Sequence, residues 1–213
     1  MNGFGVDPGV LPAFALAMVL VELTPGPNLA YLALLGAAQG RRSGLLAVAG
    51  ITAGLAFWLM VALFGLTRTP LHSLTGLEVL RWVGAAYLLW LAWEPLRPET
   101  GLAAGREARQ ARPFVRGLMA NLLNPKAAIF YLALLPGFIT PSAGPLFIQI
   151  LILGGVHIAI SIAIHSAAVF GAHEAASRLP PRWAFAFRVI LALGLVATAF
   201  WMLSIPLPGS LAP

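Results

Sequence analysis

The sequence predicts an all-helical membrane protein of six transmembrane helices, arranged as two inverted three-helix repeats with helices 1 and 4 interrupted. Three observations predict it. The 213-residue chain is 60% hydrophobic and only 9% charged, with a mean hydropathy of +0.89; soluble domains carry about 25% charged residues. Its apolar residues gather into six runs, and about 20 such residues cross the hydrocarbon of a bilayer. Finally, a motif of the first half recurs in the second at a fixed offset.

The runs cover about 11–38, 43–66, 77–93, 117–139, 145–171 and 185–204. Met1 to Gly9 holds Asp7 and neither Lys nor Arg, so the basic start of a cleaved signal is missing and the first run is expected to be retained. That run is broken at Leu23-Thr24-Pro25-Gly26-Pro27-Asn28, because proline removes a backbone donor and clashes with the preceding turn. The second run carries Gly50 and Gly54, a spacing for close helix packing within the subunit or across a dimer. The fourth is broken at Asn124-Pro125-Lys126. Trp82, Trp93, Trp183 and Trp201 fall near predicted span ends, as an interfacial aromatic belt would. The chain reads as one membrane domain: repeat 1 over about 10–93, a polar linker over about 94–116, and repeat 2 over about 117–204.

Arginine placement predicts orientation. Arg41 and Arg42 lie in the first loop, Arg97, Arg106, Arg109, Arg112 and Arg116 in the third, and Arg178, Arg182 and Arg188 in or beside the fifth. The second loop region holds only Arg68 and Arg81, and the fourth none. The odd loops, and with them the linker, are therefore expected in the cytoplasm and both termini outside. The linker arginines also suit anionic membrane lipid or a cytoplasmic partner. The net charge of +6 sits in these short loops, with no basic stripe interleaved with aromatics, so nucleic acid is not an expected partner.

Tyr31-Leu32-Ala33-Leu34-Leu35 recurs as Tyr131-Leu132-Ala133-Leu134-Leu135, an offset of 131 − 31 = 100. At the same offset Pro25 matches Pro125, Gly44 matches Gly144 and Gly54 matches Gly154. Three spans per half put spans 1 and 4 in opposite directions, and paired interrupted helices in inverted repeats point to a binding site. Asn124-Pro125 has the N-cap and N1 residues of a helix start, and Thr24-Pro25 offers the same chemistry. Each break is expected to open a half-helix whose free N–H groups suit an anion such as a carboxylate.

Glu22 and Lys126 lie at the depth of the two breaks, where an ionisable side chain costs about 2.5–3.5 kcal/mol to insert. Lys126 is the only lysine among 13 basic residues, and a buried lysine can lose a proton that arginine keeps. The predicted substrate site is Glu22, Thr24, Pro25, Gly26, Pro27, Asn28, Asn124, Pro125 and Lys126. Against it stands a purely structural ion pair between Glu22 and Lys126. His157, Ser161 and His165 share one stripe of span 5, so Glu22, His157 and His165 form a candidate proton relay; hydrogen bonding between packed helices is the alternative.

No cysteine is present, which removes disulfides, thiolate metal sites and cysteine nucleophiles. The P-loop, H-E-x-x-H and G-x-S-x-G patterns are missing. No enzyme activity, metal site or cofactor is expected.

Thr24-Pro25-Gly26-Pro27-Asn28, followed by Gly40-Arg41-Arg42-Ser43-Gly44 and Gly50/Gly54, resembles the LysE/RhtB family of amino-acid exporters. Phe114-Val115-Arg116-Gly117-Leu118 followed by Asn121-Leu122-Leu123-Asn124-Pro125-Lys126-Ala127-Ala128 looks like that family's second signature. The resemblance implies a secondary transporter of the bacterial inner membrane that exports amino acids or related small zwitterions, driven by protons. Some members carry an acidic residue after the second break. Here Ala128 to Tyr131 are uncharged, which leans toward neutral amino acids or homoserine-type lactones. A metal or inorganic-ion exporter and an intramembrane enzyme using Glu22 and the span 5 histidines are the competing readings.

Overall fold

Proline and glycine decide where the helices of this chain begin and turn. The computed structural model describes residues 6–64, 74–93, 112–140 and 142–204; Arg68, His72, Arg97, Arg106 and Arg109 lie outside them. The described elements are α1 (Val10–Leu23), α2 (Pro27–Leu63), α3 (Leu74–Trp93), α4 (Pro113–Leu122), α5 (Pro125–Ile129), α6 (Leu146–Arg178) and α7 (Pro181–Ser204). Pro27, Pro113 and Pro125 each stand in the first turn of a helix, where a missing N–H breaks no intrahelical bond. α5 continues as a π turn over Phe130–Leu134 and a 3-10 turn over Leu135–Phe138.

Both expected breaks are present, between α1 and α2 and between α4 and α5. The second bends the chain by 54°. The expected first loop is shorter than its sequence implied. α2 is two helical segments meeting at the single residue Gly40, whose φ of 84° lies where only glycine sits without strain. The fifth loop is equally brief, since only Leu179 and Pro180 separate α6 from α7.

α6 runs antiparallel to the second segment of α2. Gly44 meets Val169 at one end and Leu59 meets Gly154 at the other. The Val169 backbone also lies against Gly36, so this one residue of α6 packs on both flanks of the Gly40 corner, its main chain on Gly36 and its side chain on Gly44. The opposite face of the same segment takes α4. A Cβ at Gly54 would stand 2.7 Å from Asn121 Oδ1, and a Cβ at Gly50 would overlap the Phe114 carbonyl. The Gly50/Gly54 pair therefore serves close packing inside the subunit. α3 packs chiefly on α7, and Tyr87 of α3 donates to the Arg116 carbonyl of α4 at 3.3 Å.

At one end of the molecule Arg41 bonds Glu174 at 2.8 Å and Arg178 bonds the same carboxylate at 2.9 Å. Gly40 faces His173 there. At the other end Gln149, 1% exposed, bonds the backbone of Thr140 twice and the Gly144 carbonyl once, pinning the turn before α6.

Among the described residues three helices are long and apolar enough to cross a membrane, Pro27–Leu63, Leu146–Arg178 and Pro181–Trp201, with a fourth if Pro113–Leu122 and Pro125–Phe138 form one bent span. α1 is a shorter apolar helix of 14 residues. Trp82, Trp93, Trp183 and Trp201 are all exposed on the outside of the bundle. Trp82 lies mid-way along α3 and not at a helix end, because α3 starts earlier than the apolar run suggested.

Candidate functional site

α1 ends because Pro25 and Gly26 follow it, and its last turn leaves carbonyls without helical donors. Thr24 is the C-cap of α1, and its hydroxyl donates back to the Leu20 carbonyl at 2.7 Å. The expectation that Thr24-Pro25 would start the next helix is therefore corrected. α2 begins two residues later, at Pro27, with Gly26 as a cap that offers no side-chain bond. At the second break the expected start is the observed one, with Asn124 as N-cap accepting from the Lys126 N–H at 3.0 Å and Pro125 at N1.

Lys126 crosses from the second break to the first. Its ammonium donates to the Val21 carbonyl and, at 3.4 Å, to the Thr24 carbonyl. These belong to the C-terminal end of α1, where the helix dipole favours a cation. The partners that the Glu22 carboxylate contacts are not Lys126 but two histidines. His157 Nε2 lies 2.8 Å from Glu22 Oε1, and His165 Nε2 lies 3.2 Å from Oε2. The Glu22–Lys126 ion pair weighed from sequence is not formed, because α6 brings two imidazoles to the carboxylate and the lysine bonds the carbonyls at the end of α1.

Each imidazole has a hydroxyl on its other nitrogen. Tyr131 OH lies 3.2 Å from His157 Nδ1, and Ser161 Oγ lies 3.0 Å from His165 Nδ1. An ionised carboxylate only accepts, which assigns the Nε2 protons toward Glu22 and lets the hydroxyls donate to Nδ1. A hydroxyl also accepts, so either ring can take a second proton without losing a partner. His157, Ser161 and His165 are each about 1–2% exposed, and the Phe130 ring closes over His157 at 4.2 Å between centroids. The arrangement is a buried carboxylate held between two imidazoles, each of which has a hydroxyl partner on its far nitrogen.

Glu22, Thr24, Gly26, Pro27, Asn28, Asn124 and Lys126 line one cavity with His157 and His165, within about 390 Å³ of space partly open to solvent. Pro25 and Pro125 do not line it; they set the helix ends that do. Asn121 was not singled out as a site residue, yet it also lines the cavity. Tyr131 and Ser161 join through the histidines. In the sequence Tyr131 stands out only as part of the repeat, and no signal marks it as a histidine partner. Among the described residues no group of three or more His, Cys, Asp or Glu could hold a metal ion.

Residues 19–205 match the family described as LysE type translocator. The chain belongs to the LysE family. It is 32% identical over 155 residues to a homoserine/homoserine lactone efflux protein of Salmonella typhimurium, covering 71% of this chain and 75% of the relative. It is 29% identical over 138 residues to a threonine efflux protein of Escherichia coli, covering 61% and 66%. A leucine efflux protein of Klebsiella pneumoniae is 32% identical over 134 residues, covering 61% and 63%. No solved structure matches the chain. As a LysE family member it is a translocator and not an enzyme, and a multi-pass protein of the inner membrane, which sets aside the intramembrane-enzyme reading.

Proposed function

We propose that this LysE family member is a secondary exporter that moves amino acids or related small zwitterions out of the cytoplasm in exchange for protons. The observation that carries the reading is Glu22, held between His157 and His165 at a helix break. With both histidines neutral the cluster carries one net negative charge. One captured proton cancels it, and so does the ammonium group of a substrate. The two compete for the same charge, which is the requirement for exchange. The substrate carboxylate is placed at the N-terminus of α2, where Gly26 leaves the first N–H groups uncapped and Lys126 Nζ stands 3.5 Å from the position of a Gly26 Cβ. Relatives named for homoserine, threonine and leucine efflux support neutral amino acids as the class.

The architecture proposed is six passes in inverted halves. Counting α2 as two passes that meet at Gly40, with α1 joined to the first of them, supports that number. The ion pairs of Glu174 with Arg41 and Arg178 support a first and a fifth loop that share one end of the molecule. Alternating access is rocking of one half against the other around the two breaks.

The test is the purified chain in sealed proteoliposomes with labelled threonine, homoserine and leucine and an internal pH dye. Substrate efflux accompanied by proton counterflow is expected, with both lost in Glu22→Gln. Substrate movement that leaves the internal pH unchanged and survives Glu22→Gln overturns the proton-exchange reading.

A further inference from the structure

Glu22 with its histidines and Lys126 with the α2 N-terminus answer the two charged ends of a zwitterion. They leave one polar side chain of the cavity unused. Asn121, one residue before the end of α4, is 0% exposed, and neither its carboxamide oxygen nor its nitrogen has a hydrogen-bond partner among the described residues. It lines the same cavity as Glu22 and Lys126. An amide buried without partners costs about 1–3 kcal/mol, so one left unpaired by the protein calls for a partner from outside it, a ligand, a water or an ion. Its position is fixed as well. The absent side chain of Gly54 leaves room for it, since a Cβ there would stand 2.7 Å from Oδ1 and 2.8 Å from the Asn121 Cβ.

We infer that Asn121 is the side-chain-reading residue of the substrate site, and that it selects small amino acids bearing a hydroxyl over apolar amino acids of the same shape. This rests on the exporter reading above. A carboxamide presents one acceptor and two donors and no charge. Its complement is a neutral group that both donates and accepts, and a hydroxyl on a short side chain is the smallest such group. A buried site built to bond a hydroxyl rejects the analogue lacking it, because the site's own polar atoms then stay unpaired. Asn28 adds a second element: it is 8% exposed, its carboxamide oxygen is likewise without a partner, and it too lines the cavity.

The experiment compares threonine with valine, and homoserine with 2-aminobutyrate, as labelled substrates in proteoliposomes of the full chain. Wild type is expected to favour the hydroxylated member of each pair at least tenfold. Asn121→Leu, of similar size, is expected to lower threonine transport at least tenfold while leaving valine transport within twofold, so the preference collapses. Asn121→Asp keeps the shape and the acceptor, and is expected to retain part of the preference; it also guards against a packing failure beside Gly54. Threonine-dependent thermal stabilisation of the purified variants gives a readout independent of reconstitution, expected in wild type and lost in Asn121→Leu. Equal transport of threonine and valine by wild type overturns this inference and leaves the exporter reading standing. An equal fall for both in Asn121→Leu also overturns it, by assigning Asn121 to the zwitterionic ends. Wild-type vesicles that move none of the four overturn the exporter reading itself, and this inference with it.

Discussion

The two helix breaks come from matching stretches of a repeat, yet they are finished differently. At the second, Asn124 caps its own helix through the Lys126 N–H, and the lysine side chain leaves to serve the other break. At the first, Gly26 caps nothing. One break is closed on itself and the other is open toward the cavity. Two matching sequences thus end in one capped and one uncapped helix start, and under the proposed function the second break supports and the first receives. The offset shows the same asymmetry. The tyrosines match at 100, while the helix-starting prolines are Pro27 and Pro125, 125 − 27 = 98 apart. The π turn over Phe130–Leu134, a geometry that accommodates additional residues in a helix, lies just after the second start.

That contrast can be broken by mutation. The largest effect is expected at Glu22→Gln. Truncating one partner of a buried charged cluster costs about 2–5 kcal/mol, or roughly 30-fold and upward; gradient-driven efflux should fall by at least that, while detergent-extracted protein still elutes as a folded species. Next comes the double change of Pro25 and Pro27 to alanine, which allows α1 and α2 to run together. Transport should fall at least tenfold with membrane insertion intact, measured by protease accessibility of the loops; sustained efflux would reduce the open break to a packing kink.

Lys126→Met strips the donor from the Val21 and Thr24 carbonyls, an unsatisfied-group cost of about 1–3 kcal/mol. Thermal unfolding in detergent should shift down accordingly, and Lys126→Arg should not restore transport, because a planar fork does not replace a compact ammonium. The smallest effects sharpen the contrast most. Asn124→Ala should cost about 1 kcal/mol of stability through the lost cap, with transport changed less than twofold. Gly26→Asn should leave stability within a few tenths of a kcal/mol but raise the half-saturating threonine concentration severalfold, since the new side chain competes for the N–H groups. Equal transport effects from the two cap variants would erase the division of labour.

Much of the fold was legible because its signals are local. Proline positions mark helix starts, and the two breaks lie where Pro25–Pro27 and Pro125 put them. Glu22 and Lys126 announced themselves as charges in apolar runs, and His157 and His165 as a stripe at helical spacing. What was not legible is which of these meet. Pairing Glu22 with histidines 135 and 143 residues away depends on the path of α6, and spacing within one helix carries no information on its neighbour. Asn121 escaped for a different reason. A neutral amide near a helix end has an ordinary role as a cap, and only its full burial and its unpartnered atoms separate it from that role. The one-residue turn at Gly40 was hidden by the arginines after it, which read as a longer polar loop.

The notch filled by Val169 bears on how the chain is made. Gly36 and Gly44 flank the Gly40 corner and leave room for the backbone and the side chain of a residue that lies 169 − 44 = 125 residues downstream. At about 5–20 residues per second of synthesis, the corner waits roughly 6–25 seconds for its filler. The first two passes of the proposed architecture therefore enter the bilayer with a gap that only the fifth can close. Their final packing is a late event in biosynthesis, and the corner reports whether the second half of the chain has arrived.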